Sequence, residues 1–242
     1  ITSPNLSKFL PDDCIKLNVK NTLLAVTLVS KMFYPKADLD YPDTDLTLPE
    51  ELNQKYKNVS FGKNVLLGKN VQIGEGTIIG SQCIIESNVS IGNKCLIGSH
   101  ITIRNTLIGN EVHIQDGSKI GVKGFGFIPD SKKNLRTPHI GKLILKDGVE
   151  IGVNCTISRG SLSDTIIGPN TFIDNQVHVA HNVKIGKNCM IAGQVGIAGS
   201  SILGDNVVIG GQAGISGHLN IGNNVKIGGG SGVINDVADN SQ

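Results

Sequence analysis

From Phe61 onward the apolar residues of this chain recur at every sixth position. Leu67, Ile73, Ile79, Ile85, Ile91, Ile97 and Ile103 carry the series forward. It slips by one residue and resumes at Ile108, Ile114 and Ile120, then returns after an interruption at Leu145, Ile151 and Ile157. Beyond a four-residue insertion it runs unbroken from Ile167 through Ile173, Val179, Ile185, Ile191 and Ile197 to Val233. Two places before each member stands a smaller residue, as at Val65, Thr77, Cys83, Cys95, Val177 and Cys189, and Gly often follows directly, as at Gly62, Gly68, Gly186 and Gly204. A half-buried strand would repeat every two residues and an amphipathic helix every 3.6, so neither accounts for a period of six. Two inward side chains followed by a turn describe one flat face of a triangular coil. Three such hexads close an 18-residue coil, and roughly 26 hexads stacked as parallel strands make a prism about 40 Å long. The fold expected for residues 58–242 is therefore mainly β, a parallel β-helix.

The two ends depart from this pattern. Cys14–Val19 reads as a short strand. Asn21 or Thr22 can cap a helix on which Leu24, Leu28 and Met32 share a face, and Pro35 stops it. Residues 1–35 thus read as a partial α/β unit, and residues 36–57, with Pro42, Pro49 and several acids, as a linker. Asn235–Gln242 offers no evident cap for the last coil, whose edge would otherwise be open.

Composition adds constraints. Lys and Arg number 22 and Asp and Glu 20 in 242 residues, a net charge of +2, which argues against a strongly basic nucleic-acid binder. No signal peptide is evident, and the apolar stretch around Leu23–Val29 is too short to span a bilayer. The five cysteines form no CxxC pair. Cys83, Cys95, Cys155 and Cys189 fall on inward positions and read as small buried thiols.

Chemistry points to the segment "HVAHN". His178 lies between the inward Val177 and Val179 and so faces outward, a position that by itself suits a face or interface residue. His181 comes two places after Val179, on a corner of the prism. One coil is 18 residues, so Gly199 stacks over His181 and Gly217, next to His218, lies two coils up the same edge, about 10 Å away. An imidazole beside a backbone N–H with no side chain in front of it suits acyl transfer: a general base and an oxyanion donor. The two histidines leave the chain in different directions, which disfavours a metal site within one chain, though not one shared between chains. The long interruption at Gly121–His139 carries Phe125 and Phe127 together with Lys123, Lys132, Lys133 and Arg136, and is expected to form a wall of the cleft.

The segments "GFGF" at 124–127, "GVEIGVNCTISRGSLSDTIIG" at 148–168, "IDNQVHVAHNVKIG" at 173–186 and "GISGHLNIG" at 214–222 resemble the UDP-3-O-(3-hydroxyacyl)glucosamine N-acyltransferases of lipid A synthesis. The resemblance covers about residues 1–240. It implies a left-handed β-helix, a cytoplasmic homotrimer, and transfer of a 3-hydroxyacyl chain from acyl carrier protein to the 2-amino group of UDP-3-O-acylglucosamine. The donor is carried on phosphopantetheine, with no further cofactor and no metal. His181 would be the general base, Gly199 N–H the oxyanion donor and His218 an assisting group. Asp174, Asn175 and Asn182 would position the sugar, with His178, Phe125 and Phe127 also contacting substrate. Residues 1–35 would close a nucleotide-binding domain whose uracil loop precedes Ile1, and terminal helices would follow Gln242, making the chain part of a longer enzyme. Ser158 stands where the family usually has Asp. The run Gly228–Gly232 leaves little bulk above His218, which suggests room for a long acyl chain.

Other readings share the prism. The UDP-N-acetylglucosamine O-acyltransferases also carry "HVAH", but the amino-terminal remnant, "GFGF" and "SGH" favour the N-acyl enzymes. An acetyl-CoA-dependent sugar-nucleotide N-acetyltransferase, a zinc hydrolyase with histidines shared across subunits, and a non-catalytic solenoid are further alternatives.

Overall fold

The computed structural model describes residues 1–51 and 56–242. It divides into two compact units, one comprising 1–41 with 126–140 and the other 42–125 with 141–242. The linker expected over 36–57 is thus apportioned differently. Residues 36–41 fold with the first unit, residue 42 onward joins the second, and residues 52–55 lie outside the described residues.

The second unit is the coil that the period of six requires. Its strands are mostly two residues long and stack as three parallel sheets of nine, nine and eight. The first face runs from Ser60–Phe61 to Lys226–Ile227, the second from Leu66–Leu67 to Gly232–Val233, and the third from Gln72–Ile73 to Asn220–Ile221. Pairing is parallel and in register at one coil's remove, as in Phe172↔Met190 and His178↔Gly196. The prism is left-handed, as in the hexapeptide-repeat acyltransferases.

Both residues assigned inward in each hexad are buried almost throughout. Leu67, Ile85, Ile103, Ile157 and Ile197 are fully enclosed, as are Val89, Val183, Cys95 and Cys189. Burial raises the thiols of Cys83, Cys95, Cys155 and Cys189 above the ordinary cysteine value. Polar side chains in this column are satisfied between coils. Thr171 Oγ1 donates to Gly186 O at 2.9 Å and accepts from Cys189 N at 3.2 Å.

The corners explain the polar half of the repeat. Each turn places one residue in the left-handed region, and Asn or Gln most often takes it, at φ 57° for Asn64, 58° for Gln176 and 61° for Asn182. These residues tolerate that backbone better than branched ones. Their amides also stack, with Asn206 Nδ2 donating to Asn224 Oδ1 at 2.9 Å and Gln212 Nε2 to Gln194 Oε1 at 2.8 Å.

A second ladder caps backbone. At many corners the N–H two places after the large apolar residue is received by a side chain one coil further on. Lys63 N–H is taken by Ser81, Glu75 by Asn93, Ser99 by Asp116, Lys187 by Asp205 and Asn223 by Asp239. The tail beyond Val233 joins this scheme instead of leaving the last coil open. Val237 bridges Ile221 in parallel, and Asp239 supplies the final rung.

In the first unit, Asn21 caps the helix α1 (Thr22–Phe33), its side chain accepting from Leu24 N–H at 2.9 Å. Cys14–Val19, expected as a strand, contributes only an isolated bridge between Thr2 and Asn18. The interruption at 121–139 does not stay with the prism as one loop. Phe127–Ile128 and Leu135–Arg136 form an antiparallel hairpin belonging to the first unit, whereas Phe125 stays with the second.

Candidate active site

The second face changes character at His178. Its outward position holds Lys119, Thr156 and His178 in successive coils, then Gly196, Gly214 and Gly232. A Cβ built on any of these three glycines meets nothing within 4 Å, so packing does not demand glycine there. What the missing side chains leave is a trough. Together with Phe125, Ala180, His181, Ala198, Gly199, Ser216 and Ile234 it forms a groove of about 580 Å³. Burial in its floor holds the His178 imidazole below the ordinary histidine value, against a smaller opposing hydrogen bond with Thr156 backbone.

His181 stands on the edge of this groove, half-buried, with its ring directly under Gly199. A Cβ at Gly199 would lie 2.9 Å from His181 Cε1 and 3.0 Å from Nε2, so the ring occupies space that only glycine leaves open. The capping ladder fails at this place. The residue that would cap His181 N–H is Gly199, and the one that would cap Gly199 N–H is Gly217; neither has a side chain. Among the described residues Gly199 N–H has no acceptor, while its carbonyl receives His218 N–H at 3.0 Å. One edge therefore carries an outward backbone donor one coil above an imidazole.

The imidazole is oriented by its neighbour. Asn182 Oδ1 lies 2.9 Å from His181 Nδ1, and receives Ser161 N–H at 3.1 Å and Ser161 Oγ–H at 2.7 Å. Asn182 Nδ2 donates to Ser163 O at 2.7 Å and to Ser163 Oγ at 2.8 Å. The amide cannot be reversed. A backbone N–H only donates and a backbone carbonyl only accepts, so Oδ1 must face Ser161 and Nδ2 must face Ser163. It follows that His181 Nδ1 carries the proton in the neutral ring and that Nε2, on the side of Gly199, is the unprotonated nitrogen.

The remaining expected residues are distributed less compactly. His218 shares the edge two coils above Asn182, is exposed, and does not line the groove. Asp174 and Asn175 do not flank His181. They sit at the opposite edge of the second face and line a separate hollow with Phe172 and Met190 on the first face. Asn182 is occupied with the serines and does not point into the groove. Phe127 belongs to the other unit. Ser158 is buried, with its backbone paired to Val122. Of the run Gly228–Gly232 only Gly232 lines the groove. The trough glycines went unnoticed in the sequence, although their spacing of one coil from His178 is a readable signal. Ser161 and Ser163 were also missed, because the insertion that carries them obeys no repeat.

Residues 58–93 and 164–199 match the model of the bacterial transferase hexapeptide (six repeats). Over 84 residues the chain is 48% identical to the UDP-3-O-acylglucosamine N-acyltransferase of Agrobacterium fabrum, a stretch covering 35% of this chain and 24% of that protein. The UDP-N-acetylglucosamine acyltransferase of Francisella novicida superposes with a TM-score of 0.65 at 25% identity, over 72% of this chain and 62% of that one. The UDP-N-acetylglucosamine O-acyltransferase of Moraxella catarrhalis gives 0.51 at 27% identity, over 74% and 66%. The Campylobacter jejuni UDP-N-acetylglucosamine acyltransferase, at 23% identity and a TM-score of 0.63, shares the fold. The chain thus spans less than two thirds of the Francisella enzyme and about a quarter of the Agrobacterium one. Among the described residues no helix is long and apolar enough to cross a membrane.

Proposed function

We propose that this hexapeptide-repeat chain is the catalytic part of an acyltransferase acting on a UDP-sugar precursor of lipid A. The reaction is transfer of a 3-hydroxyacyl chain from acyl carrier protein to the 2-amino group of UDP-3-O-acylglucosamine. The observation that carries this reading is the His181 imidazole, its Nε2 turned towards the uncapped N–H of Gly199, at the mouth of an apolar trough. As the amine attacks the thioester carbonyl, the new C–N bond forms and Nε2 takes the amine proton. The carbonyl oxygen gathers negative charge, which the Gly199 N–H meets without reorganising. The C–S bond then breaks as the imidazolium gives its proton to the departing sulfur, so that phosphopantetheine leaves as the thiol and the base is restored. The trough floored by Gly196, Gly214 and Gly232 accommodates the acyl chain.

Oxygen acylation of UDP-N-acetylglucosamine is the second reading, favoured by the acyltransferase superpositions. The preference for nitrogen rests on the 48% match and on the motifs around residues 124–127 and 214–222. A homotrimer in the cytoplasm is part of the proposal. Its support is the first face, where two exposed apolar pairs, Ile78 with Leu96 and Phe172 with Met190, share a column on either side of His113 and Glu150, an unusual display for a monomer. A second copy seated there would bring Asp174 and Asn175 of that face to the sugar. The deciding experiment compares the chain with its His181→Ala variant on UDP-3-O-acylglucosamine and acylated carrier protein. A loss of ~10²–10⁴-fold with unchanged assembly is expected. Equal turnover by the variant would remove His181 from the chemistry, and acylation of UDP-N-acetylglucosamine instead would establish the second reading.

A further inference from the structure

Besides base and donor, the edge at His181 carries a structure that the repeat does not call for. The insertion Ser161–Asp164 interrupts the hexads one coil before His181, and it folds over Asn182. Asp164 anchors one end of it by accepting Lys142 N–H at 2.8 Å, and Gly141 N–H holds Ser161 O at 2.8 Å. Within that fixed loop, three donors converge on the single oxygen Asn182 Oδ1: Ser161 N–H, Ser161 Oγ–H and His181 Nδ1–H. On the other side of the amide, Nδ2 spends its protons on Ser163 O and Oγ. The backbone of Asn182 is held as well, its N–H donating to Thr165 Oγ1 at 2.8 Å. Elsewhere the left-handed corner amides stack on one another from coil to coil. Asn182 has left that ladder, and its next-coil counterpart is Ser200.

We propose that the Ser161–Asp164 insertion is a tautomer lock for His181, with Ser161 and Asn182 as positioning residues that keep the proton of the neutral ring on Nδ1 and off Nε2. This rests on the reading of His181 as the base, but the lock has a readout independent of any substrate. An unconstrained neutral imidazole samples both tautomers, and only the form with a bare Nε2 can take a proton on the side facing Gly199. The insertion turns that equilibrium into one state by making the amide irreversible. Ser161 Oγ tightens it, and the loop backbone sets its sense.

The test is 15N NMR of the full chain labelled at histidine, with the His181 signals assigned by their absence in His181→Gln. In the parent protein above pH 7.5, one pair of resonances is expected, with Nδ1 protonated and Nε2 bare. Asn182→Ala should give averaged resonances with a substantial Nε2–H share, and a kcat lower by ~10²-fold with KM within about twofold. Ser161→Ala should show a smaller admixture and a fall of ~3–10-fold, and Ser161→Thr, which restores a hydroxyl, should recover both. Thermal melts establish that each variant is folded, and Ser161→Ala serves if Asn182→Ala is not. Parent-like resonances in the folded Asn182→Ala protein would overturn the lock, as would a rate loss without any tautomer change. A locked ring in a chain that acylates no sugar would sink the enzymatic reading alone.

Discussion

Placing one methyl group on Gly199 perturbs the proposed site more selectively than any other single change. The backbone there lies outside the left-handed region, so alanine costs no strain of its own. Its Cβ would nevertheless lie 2.9 Å from His181 Cε1, 3.0 Å from Nε2 and 3.3 Å from Nδ1. Carbon and nitrogen in ordinary contact stand about 3.5 Å or more apart, so the ring must retreat by roughly half an ångström. Its retreat is opposed by the bond to Asn182, worth about 1 kcal/mol. The methyl also stands in front of the N–H expected to receive the oxyanion. Misplacement of this size near the reacting atoms, with partial loss of one donor, should lower kcat by ~10²–10³-fold. Stability should fall by only about 1 kcal/mol, or about 2–4 °C in Tm. Steady-state acylation with saturating carrier-protein donor, read beside a thermal melt, measures both. Gly196→Ala is the folding control, since its Cβ meets open space, and it should melt as the parent does. Full activity in Gly199→Ala would refute the argument, because the ring would then have room and the N–H would have no part.

Two further outcomes concern the scaffold. His178 is held below the ordinary histidine value by burial, so the folded protein binds fewer protons than the unfolded chain between that lowered value and about 6.5. Its contribution to stability is present above pH 6.5 and fades as the pH drops below it. His178→Gln should therefore show a shallower fall in Tm from pH 7.5 to 5.5, and parallel curves would count against the assignment. Thr171→Val keeps the volume but leaves Gly186 O and Cys189 N–H without their bridge, and should cost ~1–3 kcal/mol by denaturant titration. A variant as stable as the parent would show that water or a shifted backbone replaces the hydroxyl.

The coil was legible because each hexad states both its inward residues and its turn, and twenty-six repetitions average out single exceptions. Positional arithmetic then carried as far as the edge, putting Gly199 over His181 from a difference of 18. The helix at 22–33 was legible for a local reason, an Asn cap followed by apolar spacing. What escaped were features that depend on side-chain direction or on departures from the repeat. Asp174 and Asn175 precede His181 by one hexad and so stand one corner away; nearness in sequence is distance around the prism. Asn182 reads as a substrate ligand until the serines of the insertion are seen to occupy its amide. The hairpin at 127–136 left the prism for the other unit because its pairing is antiparallel and its own, which no hexad encodes.

Because every strand of the prism pairs only with those one coil away, the distance between His181 and the Gly199 N–H is kept by counting. Phase is the quantity at stake. Losing one hexad between them would rotate everything downstream by a third of a turn and carry the donor to another face, with the core hardly aware of it. The chain's irregularities all lie upstream: the slip after Ile103, the excursion at 126–140 and the insertion at 161–164. From Ile167 to Val233 the beat is unbroken. The spacing after Thr165 is therefore held constant, so this half of the molecule behaves as a gauge whose marks were set once and cannot be re-spaced.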